Sequence, residues 1–259
     1  MTTLEALWLG LIQGLTEFLP VSSSGHLVMA QSLLGLDESG VVFEVAVHVA
    51  TLVSVLVFYR RRVAELIVDT LRRRPEALEY VGKLFVATLP AVALVLVAGD
   101  FLEALFDRPP VVGVALLTTG AILWSTRSTL PDAHGETPSW SNAFWIGCAQ
   151  AFAIVPGISR SGSTVATALA LGVAPAAAAE FSFLMSVPVI LGAAVLKFGE
   201  LASVASDAMA PLAIGTAAAG ISGVVAIWLF VRLLRTQGFH QFAYYVWAAG
   251  AAFLAWSLL

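Results

Sequence analysis

The chain has 259 residues, of which 59% are hydrophobic and 12% charged, with a net charge of −4 and a mean hydropathy of +0.91. A soluble domain carries about 25% charged residues, so this chain cannot cover its surface with polar groups and belongs in a bilayer. No basic tract is long enough for nucleic acid, and one cysteine, Cys148, excludes an internal disulfide and a cysteine metal cluster.

In chain order, Met1–Gly10 lacks a basic n-region and contains Glu5, so it reads as mature fold and not as a leader. Residues 3–16 predict a short apolar helix, broken at Pro20. Ser22, Ser23, Ser24, Gly25 and His26 follow, then a second short helix from Leu27 to Leu34. Two half-length helices meeting at a polar break predict a re-entrant hairpin, because non-helical backbone at membrane depth must be buried in protein or line a cavity.

A spanning helix is predicted over 41–60, followed by Arg60-Arg61-Arg62, a short amphipathic stretch, Arg72-Arg73-Arg74 and Lys83. Further spans are predicted at 82–99, 110–127, 175–198, 209–234 and 240–258. Between the third and fourth lie residues 139–172, which repeat the broken pattern around Pro156-Gly157. The expected fold class is an all-α integral membrane protein with six transmembrane helices plus two re-entrant hairpins.

Seven of the 13 Lys and Arg lie between Arg60 and Lys83, which places that loop in the cytoplasm. Arg127, Arg232 and Arg235 then fall inside as well, Arg108 and Lys197 outside, and both termini outside. The two halves match at an offset of 137: Gly10 with Gly147, Gln13 with Gln150, and Ser22, Ser24 and Gly25 with Ser159, Ser161 and Gly162. With three spans per half, the second half must be inverted. Residues 1–259 are thus expected to form one membrane domain, with a first repeat over 1–128 (hairpin 3–34) and a second over 139–259 (hairpin 139–172). Inverted repeats with broken helices point to a central site.

Pro156 to Thr164 puts Arg160 and four hydroxyls inside an apolar sequence, where Gly157 and Gly162 allow close backbone approach to a ligand. A helix N-terminus with hydroxyls and a guanidinium suits a phosphate. Symmetry would bring Gln13, Glu17, Ser22, Ser23, Ser24 and His26 opposite Ser159, Arg160, Ser161, Ser163 and Thr164. That set suits phosphoryl transfer: Arg160 and helix N–H groups hold phosphate oxygens, a serine or a water attacks, and Glu17 and His26 are candidates for moving protons. Gln13 lies one turn before Glu17 and can face the same cavity. Glu44, His48 and Thr51 share a helix face, as cavity wall or, slightly favoured, as an interhelical stripe; Glu180 and Ser182 are similarly ambiguous. No two-histidine metal spacing occurs, but a divalent cation bound through Glu17 and the substrate's phosphates is compatible with the set.

These residues carry a resemblance. Gln13 to His26 resembles the first motif of the undecaprenyl-pyrophosphate phosphatase family linked to bacitracin resistance, and Pro156 to Thr164 its second, with the likeness covering essentially the whole chain. The resemblance implies a phosphatase that hydrolyses undecaprenyl diphosphate and recycles the lipid carrier of peptidoglycan synthesis at the plasma membrane. It places Glu17, Ser23, His26, Ser159, Arg160 and Thr164 on functional positions, with Ser23 matching the proposed nucleophile and Arg160 binding the diphosphate. It also implies support by a divalent cation, usually magnesium or calcium. Gln13 stands where the motif permits Glu or Gln, which weakens any scheme needing two acids.

A cavity reaching from midplane to the outer face and open to lipid would accept both headgroup and polyprenyl tail. The competing class is a lipid or anion transporter, since inverted repeats with broken helices are also a transporter plan. A transporter needs an anion site but no nucleophile with a proton-transfer pair. A homodimer is left open.

Overall fold

The computed structural model describes residues 1–35, 41–129, 133–196, 209–236 and 238–259, and these are helical with short connections. The helices are α1 (Thr3–Phe18), α2 (Ser23–Leu34), α3 (Val41–Phe58), α4 (Arg60–Leu71), α5 (Pro75–Glu103), α6 (Pro109–Thr129), α7 (Trp140–Phe152), α8 (Arg160–Ala170), α9 (Pro175–Leu196), α10 (Met209–Arg235) and α11 (Phe242–Ser257), the last entered through a 3-10 turn at Phe239–Gln241. Among the described residues β-pairing is confined to an isolated bridge between Gly135 and Val173.

Local chemistry sets the helix ends. Thr2 and Glu5 form a reciprocal capping box at the start of α1. Glu5, anomalous in a leader, is therefore a helix-capping residue. Both predicted breaks are present, at residues 19–22 and 153–159. Ser22 caps α2 by accepting from Gly25 N at 3.2 Å, and Ser159 caps α8 by accepting from Gly162 N at 3.1 Å. In each break the capping hydroxyl also lies 3.3 Å from that of the serine two residues on, Ser24 or Ser161. The offset of 137 seen in the sequence thus reappears as matched cap geometry.

Among the described residues, four helices are long and apolar enough to cross a membrane: α5, α6, α9 and α10. The differences from six predicted spans have simple causes. α3 does not run straight out of the bilayer; at Tyr59 the chain turns 81° into α4, whose arginine-rich amphipathic sequence suits a membrane surface. α5 begins at Pro75, not 82, because proline is favoured in a first helical turn. Lys83, expected where the loop meets the first turn of the span, therefore lies two turns inside α5, buried, paired with Glu79 at 2.6 Å and stacked on Trp140. α11 has 16 residues, fewer than the ~20 needed to cross without help. Lys197 and the end of the predicted span 175–198 lie outside the described residues.

Small residues bring the helices together, as expected where apolar burial gives no preference for helix over lipid. Ala6, Gly10 and Gly14 recur every four residues on α1 and face Gly215, Ala219, Ser222 and Gly223 of α10. On the other side, Gly147 of α7 packs directly on the backbone of Ala87 in α5. Each hairpin therefore packs against a long helix from the opposite half of the chain.

A side chain at Gly14 would strike the Ala219 carbonyl and the Ser222 hydroxyl, whereas nothing lies within 4 Å of one at Gly192. Gly14→Val is expected to cost about 1–3 kcal/mol or more by overpacking, and Gly192→Ala to stabilise by up to about 1 kcal/mol through helix propensity. Thermal unfolding of the detergent-solubilised variants checks both signs.

Candidate active site

The two breaks meet at a polar cavity of about 150 Å³, lined by Thr16, Glu17, Ser22, Ser23, Ser24, His48, Ser159 and Arg160, with Ala153, Ile154 and Ile158 on one wall. Glu17, near the end of α1, lies at its centre. Its Oε1 accepts from Arg160 Nη2 at 2.6 Å, and its Oε2 accepts from Ser23 Oγ at 2.6 Å and from Gln13 Nε2 at 3.1 Å. The ion-paired side chains are 7% and 17% exposed, so the pair is formed largely out of water. A carboxylate with this many donors is held as the anion in one orientation.

Arg160 is the first residue of α8 and is fixed at two points. Nη2 reaches Glu17, and Nη1 donates to the Ser182 carbonyl at 3.4 Å. Behind it, Thr164 Oγ1 donates to the Arg160 carbonyl at 2.8 Å and shares a 2.6 Å bond with Ser182 Oγ. The break itself is pinned to α6: Thr119 Oγ1 donates to Gly157 O at 2.8 Å and accepts from Ser159 N at 3.0 Å. Gly157 has φ +96°, and a Cβ there would lie 2.6 Å from the Val112 carbonyl, so only glycine fits this turn.

On the other side, Ser22 takes φ +70°, an uncommon conformation for a residue with a side chain. It is held by its cap bond to Gly25 and by His26, whose Nδ1 lies 2.8 Å from the Ser22 carbonyl. A carbonyl only accepts, so Nδ1 carries the proton and Nε2 of the neutral ring bears the lone pair. That Nε2 receives the Tyr245 hydroxyl at 2.8 Å, and the two rings stack.

The structure therefore gathers six of the expected residues around the cavity: Glu17, Ser22, Ser23, Ser24, Ser159 and Arg160. Five others stand behind or beside it. Gln13 supports Glu17, Gly162 N completes the Ser159 cap, and Thr164 braces Arg160. Ser161 Oγ donates to Leu19 O at 3.3 Å, tying one break to the other. His26 faces Tyr245 and is not among the cavity-lining side chains.

His48 of α3 is the cavity residue that the sequence reading slightly disfavoured. Its Nδ1 donates to the Glu44 carbonyl at 2.7 Å, leaving Nε2 to face Glu17 Oε2 at 3.9 Å. Its i+3 neighbour Thr51 bonds the helix backbone instead. Of the ambiguous pair on α9, Glu180 binds Arg62 and Tyr80 away from the cavity, while Ser182 belongs to the Arg160 support.

Chemically, the cavity offers a hydroxyl hydrogen-bonded to a carboxylate, a guanidinium beside them, and two capped helix N-termini aimed at the same space. Such an arrangement binds a phosphate and can deprotonate the group that attacks it.

The chain is similar to known proteins along nearly their whole lengths. The chain is 44% identical to the undecaprenyl-diphosphatase of Salinibacter ruber, over 96% of this chain and 97% of that protein. It is 39% identical to the undecaprenyl-diphosphatase of Carboxydothermus hydrogenoformans, over 98% and 97% respectively, and 39% identical to that of Alcanivorax borkumensis, over 99% of each. The model of one family, bacitracin resistance protein BacA, matches residues 6–252. From the first turn of α1 to the last turns of α11, this membrane protein belongs to the BacA family.

Proposed function

We propose that the protein is a membrane phosphatase that hydrolyses undecaprenyl diphosphate to undecaprenyl phosphate and inorganic phosphate, returning the lipid carrier to cell-wall synthesis. The observation that carries this reading is the chain Ser23–Glu17–Arg160, in which one carboxylate binds both a hydroxyl and a guanidinium at 2.6 Å. An anion transporter would use Arg160 and the helix N-termini, but has no need of a serine bonded to a carboxylate.

In the reaction, Arg160 and Ser159 at the α8 N-terminus form the phosphate-binding side, held in place by Ser161, Gly162 N–H and Thr164 behind them. Gln13, Ser22 and Ser24 support the other. Ser23 Oγ attacks the terminal phosphorus as Glu17 takes its proton, the Oγ–P bond forms, and the bridging P–O bond breaks to release undecaprenyl phosphate. That leaving group has a second pKa near 6 and needs no strong acid. A water then cleaves the phosphoserine and releases phosphate. His48 Nε2, which faces Glu17 across the cavity, accepts that water's proton, and Glu17 returns its own to Ser23, while His26, bonded to Tyr245, holds the Ser22 carbonyl in place. Direct attack by water on the diphosphate uses the same base and the same arginine.

A divalent cation, magnesium or calcium, belongs to this reading as a partner of the substrate. No three His, Cys, Asp or Glu side chains cluster to hold an ion among the described residues. The buried Gln13 Oε1 has no hydrogen-bond partner, so Glu17 and Gln13 fit an ion whose remaining ligands are diphosphate oxygens. Its chemistry would be to neutralise phosphate charge.

For topology we propose six spans and two re-entrant hairpins in an inverted repeat, with residues 1–128 and 139–259 as its halves. Support comes from the matched Ser22 and Ser159 caps and from the exchange in which α1 packs on α10 and α7 on α5. Arg60–Arg62 and Arg72–Arg74 flank the surface helix α4, which favours a cytoplasmic position for that side, both termini outside, and a site open to the outer face of the plasma membrane.

The deciding assay is phosphate release from a C55 isoprenyl diphosphate by pure protein, with magnesium and calcium each supplied. Glu17→Gln and Ser23→Ala are expected to lower kcat by about 100- to 10,000-fold. Arg160→Lys should lose at least about 100-fold, because an ammonium cannot span Glu17, Ser182 and a phosphate together. An inactive wild type would favour the transporter, and an active Ser23→Ala would assign the attack to water.

The orientation is tested separately with Ser24→Cys in a Cys148→Ser background. Modification by a membrane-impermeant thiol reagent is expected from the outer face; labelling solely from the cytoplasmic face would reverse the topology.

A further inference from the structure

A second cavity, of about 400 Å³, opens between α6 and the break after α7. Val111, Val114 and Thr118 of α6 line it on one side, and Phe152, Val155 and Ile158 on the other. Its one hydroxyl, that of Thr118, already donates to the Val114 carbonyl at 3.0 Å. No side chain there offers a ligand an uncommitted hydrogen bond, so what the groove can hold is hydrocarbon. Its size lies in the ~300–1,000 Å³ range of small-molecule sites, and Val114 and Phe152 open it to the surrounding lipid, at 52% and 49% exposed.

The groove adjoins the polar cavity, with Ile158 in the lining of both. Successive side chains of the break alternate between them: Ala153 and Ile154 face the Glu17 side, and Phe152 and Val155 the groove. The boundary is therefore one side chain thick. The turn that sets it is locked to α6 by Gly157, against Val112, and by the Thr119 bonds. An amphiphile whose phosphates bind Arg160 has its first apolar atoms at this boundary.

We propose that this groove is the subsite for the proximal isoprene units of the polyprenyl tail. The inference rests on the phosphatase reading and adds to it where the chain leaves the headgroup. The occupant is the substrate's own tail.

The test is a substrate series of C5, C15 and C55 isoprenyl diphosphates with wild type, Val114→Trp and Val225→Trp. Val225 has the same 52% exposure as Val114 but lies on α10, outside the groove. In wild type, kcat/KM rises from C5 to C15 as the first units enter the groove. Val114→Trp, whose indole fills it, should reduce the C15-to-C5 ratio by about tenfold, the worth of roughly two buried methylenes, while Val225→Trp keeps the wild-type ratio. A C15 diphosphate carrying a photoreactive group on its first isoprene unit should crosslink within 110–118 or 152–158. An unchanged ratio in Val114→Trp, an equal loss in Val225→Trp, or crosslinks confined to other helices would overturn the subsite and leave the phosphatase standing. A wild type that hydrolyses none of the three would overturn both.

Discussion

The structure depends on one ion pair between two elements that neither span the membrane nor touch in sequence. Glu17 ends the first hairpin's leading helix and Arg160 begins the second hairpin's trailing one. Each charge alone at the bilayer centre costs about 2.5–3.5 kcal/mol on insertion scales, and breaking a buried pair costs about 3–5 kcal/mol. The two breaks must therefore meet. The glycine and alanine stripes of α1 and α10, and of α7 and α5, allow backbones to approach closely enough for them to do so. Everything polar that follows, including the Ser23 bond, the Gln13 support and the Ser182 brace, is organised on the atoms of this pair.

The two hairpins share a scaffold and differ in chemistry. At the common offset both supply a capping serine, a glycine N–H and a second serine. The positions between them diverge: Ser23 corresponds to Arg160, Glu17 to Ile154, and His26 to Ser163. One break holds a serine, a carboxylate and an imidazole; the other has the cation and an apolar wall. Matched caps thereby frame two chemically different sides, and Ile158 of the apolar wall also lines the groove beside α6.

Much of this was legible in the chain. Pro20 and Pro156, with flanking serines, mark breaks that no helix could cross, and the placement of Glu17 opposite Arg160 followed from the repeat. The rest needed coordinates. His48 shares its face with Glu44, and spacing along a helix does not reveal which angle of that face looks into a cavity and which into a neighbouring helix. The 81° turn at Tyr59 depends on where the membrane surface lies, which no local signal in Phe58-Tyr59-Arg60 encodes. Pro75 is a sound helix start hidden by the charges around it, so the predicted span begins at 82 with Lys83 at its edge, although Glu79 and Trp140 compensate it well inside α5. His26 is the opposite case: the motif marked it, but its partner Tyr245 lies 219 residues away.

The exchange of helices between halves has a bearing on biogenesis. α1 is made first, yet its packing partner α10 begins at Met209. At synthesis rates of roughly 5–20 residues per second, the first hairpin waits on the order of ten to forty seconds in or near the translocation machinery. Glu17 meanwhile has no arginine, because Arg160 is also still to come. A lone carboxyl in a short helix is poorly held by lipid, so the first hairpin is without its full packing until the chain is nearly complete. The second hairpin has no such delay, since α5 is already in place when α7 emerges. The two hairpins thus wait unequally for their partners although their caps match in space, and the Glu17 carboxylate meets its arginine only after more than half of the chain has been made.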